Sequence, residues 1–291
     1  YFSQLYNAVV AGEAPQIGIG LDFRMNTIYP ALTPLNDSPV GNLIEQVGFK
    51  REDYIEYVWD IADIEGKQYG IPLDNPLLGV YYNKAIFRDA GLDPDNPPDN
   101  REDFEKAAEA IKKIGKYAFH PGAYGAPRWY RRAWYIFYWQ QGGSLLDGDQ
   151  AAFNNAKGLA ALEYLMDVRR KGWNQPGTNG AAQFEAGKLG MLMNGTWHYL
   201  ALAKTDLDWG FMGIPKWFEK KSTWGSNHFL VIPKQPEDKA ELILPAAQAI
   251  KWISDNSHIW GMLGGHVPMR KQALENPELM ASDTWKKTLR I

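Results

Sequence analysis

Three groups of side chains in this 291-residue chain could do chemistry: scattered carboxylates, five histidines and an excess of aromatic rings. Asp22, Asp74 and Glu185 are candidates for glycoside hydrolysis, which needs two carboxyl groups about 5–5.5 or about 6.5–9.5 Å apart, one of raised pKa. None of the three lies in a recognisable acid or nucleophile motif. The histidines, at 120, 198, 228, 258 and 266, contain no i,i+4 pair and no H-E-x-x-H run, so their spacing argues against a metal site. No G-x-S-x-G is present to expose a serine nucleophile. Gly18-Ile19-Gly20 lacks the third glycine of a dinucleotide loop, and no phosphate loop occurs elsewhere. Cysteine is absent, which removes disulfides, thiolate ligands and thiol nucleophiles together. That fits a protein that leaves the cytoplasm with nothing to oxidise.

The aromatic excess is more informative: 12 Trp, 15 Tyr and 12 Phe. Indole is large and carries an N–H that needs a partner, so a core alone seldom uses so much of it. Many of these Trp stand beside Gly, Asn, Gln or Asp, the pattern of an aromatic-lined cleft. A net charge of −3 supplies no attraction for nucleic acid or anionic lipid. With 45% hydrophobic and 22% charged residues the composition is that of a folded domain or two, and no apolar run is long enough to span a bilayer.

The elements that must position such groups alternate between strand and helix. Helical spacing runs over 2–12 to Gly12, followed by a short strand over 17–21 with Asp22 and Arg24 just beyond it. A turn at Glu65-Gly66-Lys67 leads to strands over 68–72 and 79–82, separated by the polar Leu73-Asp74-Asn75-Pro76. Asn100 caps a helix whose buried face is Phe104, Ala107, Ala108, Ile111 and Ile114. Residues 127–143 form an aromatic helix up to two glycines; 157–171 form another with Leu159, Leu162, Leu165 and Met166 on one face. Strands follow at 189–193 and 229–233, then a helix over 239–256 and a loop over 264–268. The alternation predicts an α/β fold with largely parallel sheets, in which ligands bind beyond the carboxyl ends of strands. Asp22, Asp74, Trp197 and Asn227 all fall at or near strand ends.

Asn194-Gly195-Thr196-Trp197 admits three readings: a hairpin, a glycosylation acceptor, or a strand that turns at Gly195 into a Thr196-capped helix. Residues 197–203 continue with helical rather than alternating spacing, against the hairpin.

YGIPLDNPLLGVYYNK at 69–84, with the following AIFRDAGLDPDNPPDNREDFEKAAEAI, resembles the extracellular solute-binding proteins of bacterial sugar ABC importers, the family that includes maltodextrin-binding proteins. AVVAGEAPQI at 8–17, WQQGGSLLD at 139–147, FEAGKLGMLMNGTW at 184–197, GSNHFLVIPK at 225–234 and GGHVPMRK at 264–271 resemble further segments of that family in the same order. Gln16 stands where Asp is usual and Gly190 where Ala is usual. The family has another strand before residue 2 and more helix past 291, so a trimmed chain is expected.

The resemblance implies a two-lobed, periplasmic-binding-protein-like α/β fold with a hinge between the lobes. Lobe 1 would be 1–74 and 228–263, lobe 2 78–224 and 269–291, with crossovers near 74–78, 224–228 and 264–268. A ligand would bind in the cleft and the lobes close on it. By the same resemblance Trp197 is a stacking platform, and Asp22, Arg24, Asp74 and Asn75 bind sugar hydroxyls. Trp139, Gln140, Gln141, Trp224, Asn227, His228, His266 and Trp59 complete the ligand-binding candidates. A bacterial family also argues against glycosylation at Asn194. The implied protein is a non-enzymatic monomer that takes a mono- or oligosaccharide, the Trp content favouring the latter. It hands that ligand to a membrane permease outside the cytoplasm, as a periplasmic protein or lipoprotein, without metal or cofactor. The alternatives are a polyamine binder, with Asp22 and Asp74 pairing ammonium groups, and a glycosidase.

Overall fold

The computed structural model of the chain describes residues 1–122, 127–175 and 177–289. The expected lobe ranges also include 123–126, 176 and 290–291, which lie outside the described residues. The chain divides into two compact units: Tyr1–Pro76 with Ser226–Lys286, and Leu77–Gly225 with Lys287–Ile291. The expectation that 269–291 belongs wholly to the second is therefore corrected. Short helices at Lys271–Leu274 and Pro277–Ala281 pack with the helix Ser257–Gly264 in the first unit, Leu279 being fully buried there.

The first unit is built on a four-stranded sheet in the order Gly18–Leu21, His228–Val231, Ile71–Asn75, Val267–Pro268, every pair antiparallel. Alternation along the second of these strands sorts two cores. Leu230 and Ile232 join Leu43, Tyr54, Trp59, Ile71 and Ile250 on one face; Phe229 and Val231 join Met25, Ile28, Val58 and Met269 on the other. Glu65 and Gly66 both have positive φ and turn the small hairpin Asp63–Ile64/Lys67–Gln68, as the sequence at 65–67 suggests. Leu73, Asp74 and Asn75, read from sequence as an interruption, lie inside a strand: Asp74 faces His228 on one side and Pro268 on the other.

In the second unit the order is Trp209–Met212, Leu78–Asn83, Leu189–Gly195, Tyr117–His120. The two central strands are buried at every position, which is why they read as continuous apolar runs. Among the strands of the described residues, Tyr117–His120 with Leu189–Gly195 is the single parallel pair, so the expectation of largely parallel sheets is overturned. The helices between these two strands form the crossover that returns the chain in the same direction, while Leu78–Asn83 runs opposite to both of its neighbours, Leu189–Gly195 and Trp209–Met212.

Asn100 accepts from the backbone N–H of Asp103 and starts the helix Arg101–Lys113, whose Phe104, Ala107, Ala108 and Ile111 are buried. Ile114, its C-cap, is exposed instead. The helix Ala156–Arg170 buries Gly158, Ala161, Tyr164 and Val168; of the face expected, Leu165 packs half-buried against the core, while Leu159, Leu162 and Met166 are exposed. Among the described residues, no helix is long and apolar enough to cross a membrane.

Candidate functional site

Three indoles gather in the second unit. The buried strand Leu189–Gly195 ends in a single 3-10 turn, Thr196–His198, and Trp197 is its central residue. A Cβ at Gly195 would come within 2.0 Å of the Trp197 ring, so the absent side chain makes the seat on which the half-buried indole lies. Trp129, on the helix Pro127–Gln140, lies with its ring centre 6.2 Å from that of Trp197. One turn along this helix, the Arg132 guanidinium sits 4.6 Å from the Trp129 ring centre and 4.0 Å from that of Trp224. Burial, then the neighbouring Arg128 and Arg131, lower Arg132 to about 10. No carboxylate pairs with it among the described residues. Thr196 is not the expected cap: Gly195 holds the N-cap position, and the Thr196 hydroxyl is buried without a hydrogen bond among the described residues. The Asn194 side-chain Oδ1 accepts from the Gly195 backbone N–H at 2.8 Å, and its amide nitrogen is buried without a partner among the described residues.

A polar cluster occupies the strand ends of the first unit. Asp22 opens the helix Asp22–Ile28 and accepts from the Ser226 hydroxyl at 2.9 Å, from the Asn227 backbone N–H at 2.8 Å and from its amide at 3.3 Å. Asn75 donates to the Asn227 side-chain oxygen at 2.9 Å. Beside them Asp74, fully buried, lies between two imidazoles: His228 Nδ1 is 2.5 Å from Oδ1 and His266 Nδ1 2.8 Å from Oδ2, which the Trp260 indole N–H also reaches. Burial pushes the Asp74 carboxyl up, but hydrogen bonds from the two imidazoles and their charge outweigh it and hold the group at about 2. A carboxylate held ionised by two imidazoles is poorly suited to act as a general acid, and with both oxygens engaged Asp74 is corrected from a sugar-hydroxyl partner to an internal anchor.

Several other expected residues have structural duties. Gln140 is fully buried; its oxygen accepts from the Trp217 and Phe218 backbone N–H groups and its amide donates to the Pro215 and Ser222 carbonyls. Gln141 donates to the Phe137 and Lys157 carbonyls. Trp59 belongs to the first unit's core against Tyr54, and Trp139 stacks on Tyr135 at 5.3 Å. Gln140, Gln141 and Trp59 are corrected to packing and strapping, while the half-buried Trp139 stays among the candidates. Arg24 is exposed, with its guanidinium about 6 Å from the Phe2 and Phe23 rings. Sequence reasoning missed Trp129, Arg132 and Trp260. The i,i+3 spacing of Trp129 and Arg132 on an aromatic helix was the available signal for the first two; nothing local pointed to Trp260.

The family model described as bacterial extracellular solute-binding protein matches residues 25–288. A Brucella abortus protein named as a binding protein is 25% identical over 198 residues, 65% of this chain and 48% of that protein. The chain thus spans about half the length of the first curated relatives it matches. Over 26% of the chain it is 32% identical to the sn-glycerol-3-phosphate-binding periplasmic protein UgpB of Agrobacterium fabrum, covering 18% of that protein. Among solved structures, Mycobacterium tuberculosis UgpB in complex with glycerophosphocholine matches with a TM-score of 0.83 at 19% identity, over 99% of this chain and 74% of that one. Maltose-bound MalE3 of T. maritima gives 0.81 at 17%, over 97% and 74%. At these identities the structural matches speak for a shared two-lobed α/β fold.

Proposed function

Because the chain belongs to the bacterial extracellular solute-binding protein family, we propose that it is the substrate-binding component of a carbohydrate ABC importer. The observation that carries this reading is the half-buried Trp197 indole, seated on Gly195 at a strand end with Trp129 and Trp224 nearby. A pyranose presents a face of C–H groups and an edge of hydroxyls. Laid on an indole, the face leaves water while the edge stays free for hydrogen bonds. Burying ~150–250 Å² at ~25 cal/mol/Å² is worth roughly 4–6 kcal/mol before costs, and micromolar affinity needs about 8. One or two such platforms with a few polar contacts suffice.

In this reading the protein works outside the cytoplasm, delivers an oligosaccharide to a permease and performs no catalysis. Asp22, Asn75 and Asn227 remain candidate polar contacts in the first unit; Trp197 and Trp224 are the platforms in the second. Proteins of this fold bind maltose in one case and glycerophosphocholine in another. Arg132 favours a second reading, a polyol carrying a phosphate, because a half-buried guanidinium without a carboxylate partner suits an anion.

Thermal shift and calorimetry with a panel of malto-oligosaccharides, glycerophosphodiesters and polyamines test this, with chromatography of each mixture. Saturable binding of an oligosaccharide without turnover supports the importer component. Binding confined to phosphate esters moves the assignment to the second reading. Binding only to polyamines, or product formation, overturns both.

A further inference from the structure

We propose that Asp74, His228 and His266 form a binding site for one divalent first-row transition ion, Zn²⁺ being the ion that suits the donor set best. This site lies within the first unit and is independent of the importer reading.

The three residues each offer one ligand atom, and these atoms lie within 4.8 Å of one another. Zinc bonds to imidazole nitrogen and carboxylate oxygen are about 2.0–2.2 Å long, so ligands of one ion stand roughly 3–3.5 Å apart. Small side-chain rotations therefore close the set. The backbone already fixes the geometry: His228 and Pro268 face Asp74 across adjacent strands, and His266 stands two residues before Pro268. The two imidazoles lie nearly parallel, 5.6 Å apart and 23° between planes, with both Nδ1 atoms directed at the same carboxylate.

Without an ion the Nδ1 N–H of each imidazole donates a hydrogen bond to the ionised Asp74. On loading, each neutral ring would carry its proton on Nε2 and turn the Nδ1 lone pair to the cation, which would stand between the same three groups. Trp260 keeps its indole N–H on Asp74, the orienting contact that metal ligands generally have from a second ring of residues. Three protein ligands leave one position of a tetrahedral ion open. His228 is a quarter exposed and borders a cavity of about 360 Å³, shared with Ile19, Leu73, Ile253 and Trp260, through which an ion and its water can enter.

Chelator-treated protein is titrated with Co²⁺, read by visible absorption, and with Zn²⁺ by competition calorimetry. The wild type is expected to bind one ion per chain. His228→Gln and His266→Gln should each weaken binding by more than about tenfold, with circular dichroism unchanged, and Trp260→Phe by about tenfold at unchanged stoichiometry. If the histidine variants do not fold, X-ray absorption of the Zn²⁺-loaded wild type decides, two imidazole nitrogens being expected. No saturable binding, affinity untouched by His228→Gln, or a spectrum without imidazole would overturn the site.

Discussion

Gly195 and Trp197 are fitted to one another: the indole occupies the space that a side chain at 195 would fill, with a Cβ there only 2.0 Å from the ring. The Gly195 backbone has φ −86°, which any residue adopts, so glycine is required by this close approach and not by the fold of the chain. Gly195→Ala should therefore move Trp197 and leave the sheet intact. We expect ligand affinity to fall by about tenfold or more, a ~1.4 kcal/mol step, with an unchanged circular dichroism spectrum. Calorimetry of the variant checks this; native affinity would mean the seat does not position a binding group.

Gln140 gives the opposite outcome. Gln140→Leu strands a buried N–H at 217, a half-buried one at 218 and two carbonyls at 215 and 222. Unfolding in urea should show a loss of roughly 2–4 kcal/mol, with ligand affinity near native. A selective loss of affinity would return Gln140 to the binding surface.

Stability should decline on mild acidification. Burial lowers His120 to about 4, against weaker opposition from backbone hydrogen bonds at Thr178 and Gly122, and burial alone lowers His198 to about 4. Glu185 lies 3.5 Å from His198 and would pull the other way, but it is exposed and burial wins. The unfolded chain takes up these protons near pH 6.5 while the folded one does not. Stability is thus full above about pH 6.5 and falls as pH drops toward 4, by on the order of 2–3 kcal/mol per histidine. Urea midpoints at pH 7.5 and 5 measure this, and His198→Gln should flatten the slope.

Along the helix Ala156–Arg170, Leu159→Glu and Leu162→Glu should each change stability by less than about 0.5 kcal/mol, because both side chains face outward. Tyr164→Ala should cost about 3–5 kcal/mol, since its ring packs edge-on to Phe137 inside the second core. Thermal denaturation of the three variants separates the faces.

That helix also marks where sequence stopped being a guide. Asn100 and Gly142 end or begin helices through local chemistry, an amide on a free N–H and a positive φ, and both are readable from neighbours in the chain. Leu159, Leu162 and Met166 are more apolar than Ala161 and Gly158, so a stripe drawn by hydropathy picks the wrong face. Only the position of the sheet and of Phe137 decides it. The turn that carries Trp197 was legible because it follows an apolar strand. The Asp74 cluster was not: His228 and His266 lie 154 and 192 residues away in sequence, and local spacing of histidines carries no information about strands that pair across such distances. Gln140 was misread for the same reason, its partners being 75 to 82 residues onward.

The central claim is that Trp197 is a sugar platform of a binding protein. Calorimetric titration of wild type and Trp197→Ala with the oligosaccharide that gives the largest thermal shift tests it most directly. The account predicts one site per chain in the wild type, at least about tenfold weaker binding in the variant and an equal melting temperature without ligand. Equal affinity of the two proteins, or no carbohydrate binding by the wild type, would contradict it.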